Sequence, residues 1–406
     1  MPFRFFLSCF LLILTIGAEA KVELGVDLFF AEKLGSLKGA KVGLVTNHTG
    51  LNGELRSTID LFLAQKGHST LVAIFSPEHG LSGSVHAGEK VGSEAEEIPI
   101  YSLYGENRRP TEKMLQGIDL IVYDIQEIGI RPYTYATTLF YVMEEAAKKK
   151  IRVVVLDRPN PLGGLLVDGP MLNGKLRSFL GYINVPYCHG MTIGELARFF
   201  NGEYQIGCDL EVVAMRGWKR SMLYRDTGLE WIPTSPNIPE PDTPFYCAAT
   251  GMLGELELVN IGIGYTLPFK IIGAPWISGK EFAAQLNGQN LPGVLFAAFS
   301  FRPFYGPYKG QDCQGVKILI TDHAKYRPLS VQYLLIGMLK SLYPKEFSKR
   351  LNEVNPERIK LFTKVSGNEE IYAMLLNEKY VAWKLIEFQK EERNVFLQKR
   401  EKYLLY

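Results

Sequence analysis

The run Leu71-Val72-Ala73-Ile74-Phe75-Ser76-Pro77-Glu78-His79-Gly80-Leu81-Ser82-Gly83 passes abruptly from apolar side chains to a proline, a carboxylate and an imidazole. An apolar run of this length, rich in bulky residues and bounded by Pro and Gly, reads as a buried strand. Glu78 and His79 then stand just past its carboxyl end. In open α/β sheets ligands bind in the crevice outside the strand carboxyl ends, so the position suits chemistry as well as the residue types do. Taken alone, Pro77-Glu78-His79-Gly80 reads equally well as a polar turn. The flanking sequence decides between the two.

Upstream, Lys41-Val42-Gly43-Leu44-Val45-Thr46-Asn47-His48-Thr49-Gly50 reads as a strand followed by a polar turn, and Ser57 to Leu63 has helical spacing. With the strand ending at Glu78 this makes β, α, β, the pattern of a parallel sheet. Downstream the pattern repeats. Gly117 to Tyr123 runs into Asp124-Ile125-Gln126-Glu127, a helix is expected from about Thr137 to Lys150, and Ile151 to Leu156 ends in Asp157-Arg158-Pro159-Asn160-Pro161. Four strands thus deliver polar residues to one sheet edge: Asn47 and His48, Glu78 and His79, Asp124 and Gln126, then Asp157, Arg158 and Asn160. Singly, Asp124 and Asp157 read as caps or turn formers, and Arg158 as a partner for Asp157. Together the four tips read as a site.

Between the second and third strands, Ser82 to Thr111 reads as a loop over the sheet edge, with His86 in it and a short strand near 98–103. Gly163 to Asn184 is Gly-rich and irregular, and Thr192 with Glu195 makes a capping box for a helix from about Ile193 to Phe200. Glu195 is therefore read as structural, and His189, just ahead of the helix, as freer to touch a ligand. A strand follows at 210–215, then a proline-rich connection, Trp231 to Pro239, that cannot be a central strand and offers Asn237. From residue 249 the chain is turn-rich, then aromatic around 296–305, then helical over 328–343 and 368–403. The expected fold class is α/β, with a mostly parallel, Rossmann-like sheet over residues 21–248 and a boundary near residue 248.

With 406 residues, 47% hydrophobic and 22% charged, the chain is an ordinary globular protein, and its net charge of +2 argues against nucleic acid as a partner. Arg4, the apolar run Phe5 to Ile16 and Ala18-Glu19-Ala20 compose a secretory signal peptide over 1–20, so an exported, periplasmic or extracellular protein is expected. The run is short for a membrane span, and no later segment replaces it. Beyond Cys9 in that leader, Cys188, Cys208, Cys247 and Cys313 lack the spacing of a zinc site. One or two disulfides are possible in an exported chain.

An exported protein with several carboxylates at a sheet edge suggests glycoside hydrolysis, which needs an acid and usually a second carboxylate. Glu78, following Phe75 and Pro77, is the better acid candidate; Asp124, Glu127 and Asp157 compete for the second role. There is no Gly-x-Ser-x-Gly elbow, His-Glu-x-x-His helix, Walker loop or dinucleotide fingerprint, so no cofactor is expected. A metal-dependent hydrolase using His79, His86 and Asp124 is a minor reading, since the histidines lack ligand spacing, and no metal is expected.

The series Gly43 to Gly50, Pro77-Glu78-His79-Gly80, Tyr101-Ser102-Leu103-Tyr104-Gly105, Asp124-Ile125-Gln126, Tyr133-Thr134-Tyr135, Leu156 to Pro161, His189 to Leu196 and Ser235-Pro236-Asn237 resembles the NamZ family of exo-acting β-N-acetylmuramidases. The likeness runs in matching order over nearly the whole chain after residue 20. It implies a Rossmann-like N-terminal domain, a smaller α+β C-terminal domain over 249–406 that closes an active cleft, and release of terminal N-acetylmuramic acid (MurNAc) from the non-reducing end of peptidoglycan fragments, with the family's proposed catalytic glutamate falling on Glu78. Its motifs and the strand tips supply the substrate-contact candidates Asn47, His48, His79, Gln126, Arg131, Tyr133, Tyr135, Arg158, Asn160, His189 and Asn237. The sequence also departs from the family. Asp is usual where Glu127 stands, and the family's Ser-Glu-Gly-Arg-Gly-Thr appears as Val259-Asn260-Ile261-Gly262-Ile263-Gly264-Tyr265-Thr266, without its acidic and basic members. The Glu expected after Pro268-Phe269 is Lys270. These departures motivate a second reading, a non-catalytic peptidoglycan- or muropeptide-binding protein.

Overall fold

The computed structural model describes residues 21–65, 67–84 and 98–406. The expected signal peptide and His86 lie outside the described residues. The strands are β1 (Ala40–Thr46), β2 (Ser69–Ser76), β3 (Ile100–Ser102), β4 (Leu120–Asp124), β5 (Arg152–Leu156), β6 (Asp168–Met171), β7 (Pro186–Cys188), β8 (Leu210–Val213), β9 (Ile271–Ala274), β10 (Val294–Phe301) and β11 (Cys313–Ile320). The α-helices are α1 (Gly25–Leu28), α2 (Thr58–Ala64), α3 (Thr134–Lys149), α4 (Ile193–Glu203), α5 (Thr243–Gly254), α6 (Gly279–Asn287), α7 (Pro328–Leu342), α8 (Pro344–Glu353), α9 (Pro356–Ser366), α10 (Glu369–Asn377), α11 (Val381–Glu387) and α12 (Lys390–Arg400).

Strands β3-β2-β1-β4-β5-β8 form one sheet in that order, and every neighbouring pair is parallel. The order reverses at β1, so the switch point of this Rossmann-like sheet lies between β1 and β4, where ligands of such sheets bind. Strand alternation explains why both faces are covered. Ile121, Tyr123, Val153 and Val155 pack with α3 and α4, while Leu120, Val122, Val154 and Leu156 pack on the other face with Leu61 and Phe62 of α2. The expected capping box is present: Thr192 accepts from the Glu195 amide and Glu195 from the Thr192 amide.

The smaller C-terminal part holds the antiparallel sheet β10-β11-β9 and helices α5 to α11, around a core that also takes Ile128 and Ile130 from behind β4, Leu162 from behind β5 and Tyr187 from β7, while Phe396 of α12 packs into the core of the parallel sheet. Helix α5 runs unbroken through residue 248, where the sequence expects the domain division. The region read as irregular, 163–184, contains β6, which pairs antiparallel with β7 just beyond it. The single helix expected over 368–403 is three, α10 to α12. Cys188, Cys208, Cys247 and Cys313 are buried and free. Among the described residues no helix is long and apolar enough to cross a membrane.

The two parts are joined by side chains that reach far along the chain. Arg131 donates to the carbonyls of Pro170, Val185, Val365 and Ser366, and Arg400 to those of Gly164, His189 and Gly190. Tyr406 donates from its hydroxyl to Asp157 Oδ2 at 2.7 Å and accepts the Met215 amide at 2.7 Å, its ring set edge-on to Trp218. Tyr406→Phe removes both bonds, leaving the Met215 amide without its acceptor and Asp157 one donor short, at about 1–3 kcal/mol. Thermal unfolding of the variant is expected at a lower midpoint, and an unchanged midpoint would contradict this role.

Candidate active site

The sheet order sets the four tips side by side: β2 with Glu78 and His79, β1 with Asn47 and His48, β4 with Asp124 and Gln126, β5 with Asp157, Arg158 and Asn160. A cleft of about 710 Å³ opens between this edge and the C-terminal part. Of the residues expected from the sequence, Glu78, His79, Tyr133 and Asn237 line it. Glu78 is half-buried and accepts a 2.6 Å hydrogen bond from the Thr134 hydroxyl, on the first residue of α3. His79 is held in the left-handed region, φ +70°.

The other tip residues form the frame behind this surface. Both oxygens of Asp124 meet Arg158, Nε at 2.6 Å and a terminal nitrogen at 2.9 Å, and the Thr58 hydroxyl adds a third bond. Asp157 accepts from the Thr192 and Tyr406 hydroxyls and from the amides of Arg158 and Gly194. Asn160 bridges Met191 O and Leu162 N, Gln126 donates to Glu127 O and Pro159 O, and Asn47 accepts twice from Thr49. Arg131 is spent on the four carbonyls named above. None of these side chains lines the cleft. The minor metal reading asks Asp124 for lone pairs that Arg158 and Thr58 already occupy.

Two further candidates, His48 and Tyr135, act on the cleft through a loop, as does Tyr133 beside its own place in the lining. His48 Nε2 bonds Pro233 O at 2.6 Å, Tyr133 donates to Thr234 Oγ1 at 2.9 Å, and Tyr135 donates to Thr234 O at 2.7 Å. The proline-rich connection is thereby pinned against the sheet edge. Its prolines limit the backbone further, and Ser235 and Asn237 are presented to the cleft.

Glu127 and His189 form a buried pair. The Met191 amide donates to His189 Nδ1, which puts the proton of the neutral ring on Nε2, 4.0 Å from Glu127 Oε1. Burial pushes the Glu127 carboxyl up to about 8. Burial, then Arg400 and Arg131, push His189 down to about 3. At neutral pH the pair is therefore an uncharged acid facing an uncharged imidazole rather than an ion pair. Glu127 Oε1 accepts the Gly129 amide at 2.8 Å, while Glu127 Oε2 and His189 Nε2 have no hydrogen-bond partner among the described residues.

The opposite wall comes from the C-terminal part. Ile261, Ile263, Phe269 and Tyr305 make it largely apolar, and Glu255, Glu257 and Arg358 form a charged cluster on it. Asn260 points its amide into its own loop, donating to Ile263 O and Pro307 O and accepting from Gly262 N. Lys270 is absent from the lining and pairs with Glu240. Glu257 and Phe269, like His79, have positive φ, +53° and +64°. Strained backbone of this kind gathers at ligand sites. Sequence reasoning missed Thr134, Glu255, Glu257, Tyr305 and Arg358 as cleft residues. Only Thr134 stood beside a residue already singled out.

Residues 42–242 match the family model described as exo-beta-N-acetylmuramidase NamZ, N-terminal, and residues 245–406 match its C-terminal counterpart. The chain is 40% identical over 391 residues to the peptidoglycan beta-N-acetylmuramidase NamZ of Bacillus subtilis (strain 168), covering 96% of this chain and 92% of that protein. It is also similar to crystal structures of two DUF1343 family proteins from Bacteroides fragilis NCTC 9343. One is 39% identical with a TM-score of 0.89, the other 27% identical with a TM-score of 0.73, and each comparison covers 95% of this chain and 99% of the other.

The raised Glu127 carboxyl has a consequence for stability. Between its ordinary value of 4.5 and about 8 the folded chain keeps a proton that the unfolded chain releases, so stability falls as pH rises through that window. Glu127→Gln, which cannot ionise, is expected to make that decline shallower. Asp157, pushed up to about 7 by burial, leaves a residual slope. Unfolding midpoints at about pH 5 and pH 8 measure it; equal slopes in the two proteins would show that Glu127 ionises freely in the fold.

Proposed function

The chain belongs to the NamZ family of exo-β-N-acetylmuramidases, and from that premise we propose that it is itself a glycoside hydrolase of this kind. It acts at the non-reducing end of peptidoglycan fragments, releasing MurNAc from MurNAc-GlcNAc disaccharides and, less readily, the peptide-bearing muramyl residue from muropeptides, whose lactyl acid is amide-linked. The observation that carries the reading is the position of Glu78: just past β2, in the cleft, with Thr134 fixing its Oε2. In the role proposed, Glu78 is the general acid. It gives its proton to the glycosidic oxygen as the bond to the anomeric carbon breaks, and water supplies the hydroxyl that completes the MurNAc product, the proton the water gives up restoring the acid form of Glu78. Asp124 and Asp157, whose oxygens are engaged in holding strand ends, keep the frame. Glu127 with His189 supports the edge from behind, and Ser235, Asn237, Tyr133 and His79 contact the sugar. Export belongs to the same reading, supported by the basic, apolar, Ala-x-Ala order of residues 1–20 and by where peptidoglycan is found.

With a MurNAc-GlcNAc disaccharide as substrate, Glu78→Gln is expected to lower the release of MurNAc by about 10³-fold with the fold unchanged. Thr134→Val, which only frees the acid from its positioning bond, should cost about tenfold. Saturable binding of muropeptides by the natural chain without any turnover would instead make it a binding protein.

A further inference from the structure

We propose that Arg358 selects for the free carboxylate of the muramyl lactyl group, an assignment that rests on the functional reading above. Muramic acid differs from glucosamine by that one ether-linked acid. To enter a cleft with an apolar wall, a carboxylate needs a cation or several donors in place of its water. Among the described residues that line the cleft, Arg358 is the sole lysine or arginine. It stands on α9, its side chain 36% exposed and reachable from the cleft. Its planar fork matches a carboxylate in a way an ammonium does not.

Two carboxylates hold it: Glu255 Oε2 at 3.3 Å from one terminal nitrogen, and Glu257 against the other. They differ in kind. Glu255 is the more enclosed, and burial pushes its carboxyl up. Glu257 is 44% exposed on a strained left-handed backbone, so it surrenders the guanidinium more readily. In the assignment, the lactyl carboxylate takes the place of Glu257 on Arg358, while Glu255 keeps the side chain in position. An unoccupied guanidinium is then never left bare in the cleft, and a sugar without the acid has nothing to exchange for Glu257.

The test compares, by calorimetry on the full chain, binding of MurNAc with that of MurNAc whose lactyl acid is capped as the N-methylamide. The natural chain is expected to prefer the acid by roughly ten- to a hundred-fold. Arg358→Gln should abolish the preference, Arg358→Lys should keep part of it, and Glu257→Gln should tighten MurNAc several-fold while leaving the amide unchanged. The readout is a ratio within one protein, so partial loss of folded material cancels, and Glu257→Gln tests the exchange without removing the arginine. Equal preference in the natural chain and in Arg358→Gln, or no preference for the acid in the natural chain, overturns the assignment. Failure of the functional reading looks different: the natural chain would bind MurNAc with the expected preference and release none from any glycoside.

Discussion

A buried guanidinium between two strand ends holds the edge of the sheet on which the site is built. Arg158 grips both oxygens of Asp124, the two side chains being 5% and 0% exposed, and also donates to Leu51 O. Taking both charges out of water costs several kcal/mol per ion, and the geometry offsets this because the fork is bidentate and Thr58 satisfies a further lone pair. Such a pair is not a strong source of stability. Its effect is positional: it fixes β4 to β5 and draws in the turn after β1 and the start of α2. The crevice at the switch point therefore has a floor with little freedom. The residues that stand above it, Glu78 on one side and the proline-rich loop on the other, inherit that rigidity.

The same interaction explains how the carboxylates divide their work. Residue type and place at a strand tip are shared by Glu78, Asp124 and Asp157. What separates them is the cleft: of the three, Glu78 alone lines it. Asp157 meets four donors and Asp124 three, which leaves them acceptors in a finished network. Glu78 lies against the cleft, with Thr134 at one oxygen. Donor count is a property of tertiary contacts: Tyr406 comes to Asp157 across 249 residues of chain. That is why the sequence named the tip residues and left their roles open.

How much was legible follows from how local each signal is. The parallel sheet was readable because strands buried on both faces are apolar throughout and end in polar turns, and the Thr192–Glu195 box announced α4 within four residues. Helix α5 was not. It buries Phe245, Cys247, Ala248, Ala249, Met252 and Leu253 on all sides, so no amphipathic stripe marks it. The breaks that divide α10, α11 and α12 are short and lack a proline, which let three helices read as one. The charged cluster of the cleft was invisible for a different reason. Arg358 is 103 residues from Glu255, and only the packing of α9 on α5 brings them together.

The wall that carries this cluster shows shape and chemistry being set by different residues. Gly262 and Gly264 both have φ +83°, and a Cβ on either would stand 2.1 Å from Leu267 O or 2.2 Å from Tyr305 O. Glycine is required at both places by backbone approach alone, and Asn260 staples the same loop from within. The loop thus keeps its course whatever occupies the positions just before each glycine. Those positions, Ile261 and Ile263, point the chemistry of the wall toward apolar contact. An acid arriving there finds no partner on the loop itself, and the nearest provision of charge lies on Arg358, contributed by another helix. Specificity in this cleft can therefore change without disturbing the frame: the glycines preserve the surface, the isoleucines keep the loop apolar, and the cation stands apart on another helix.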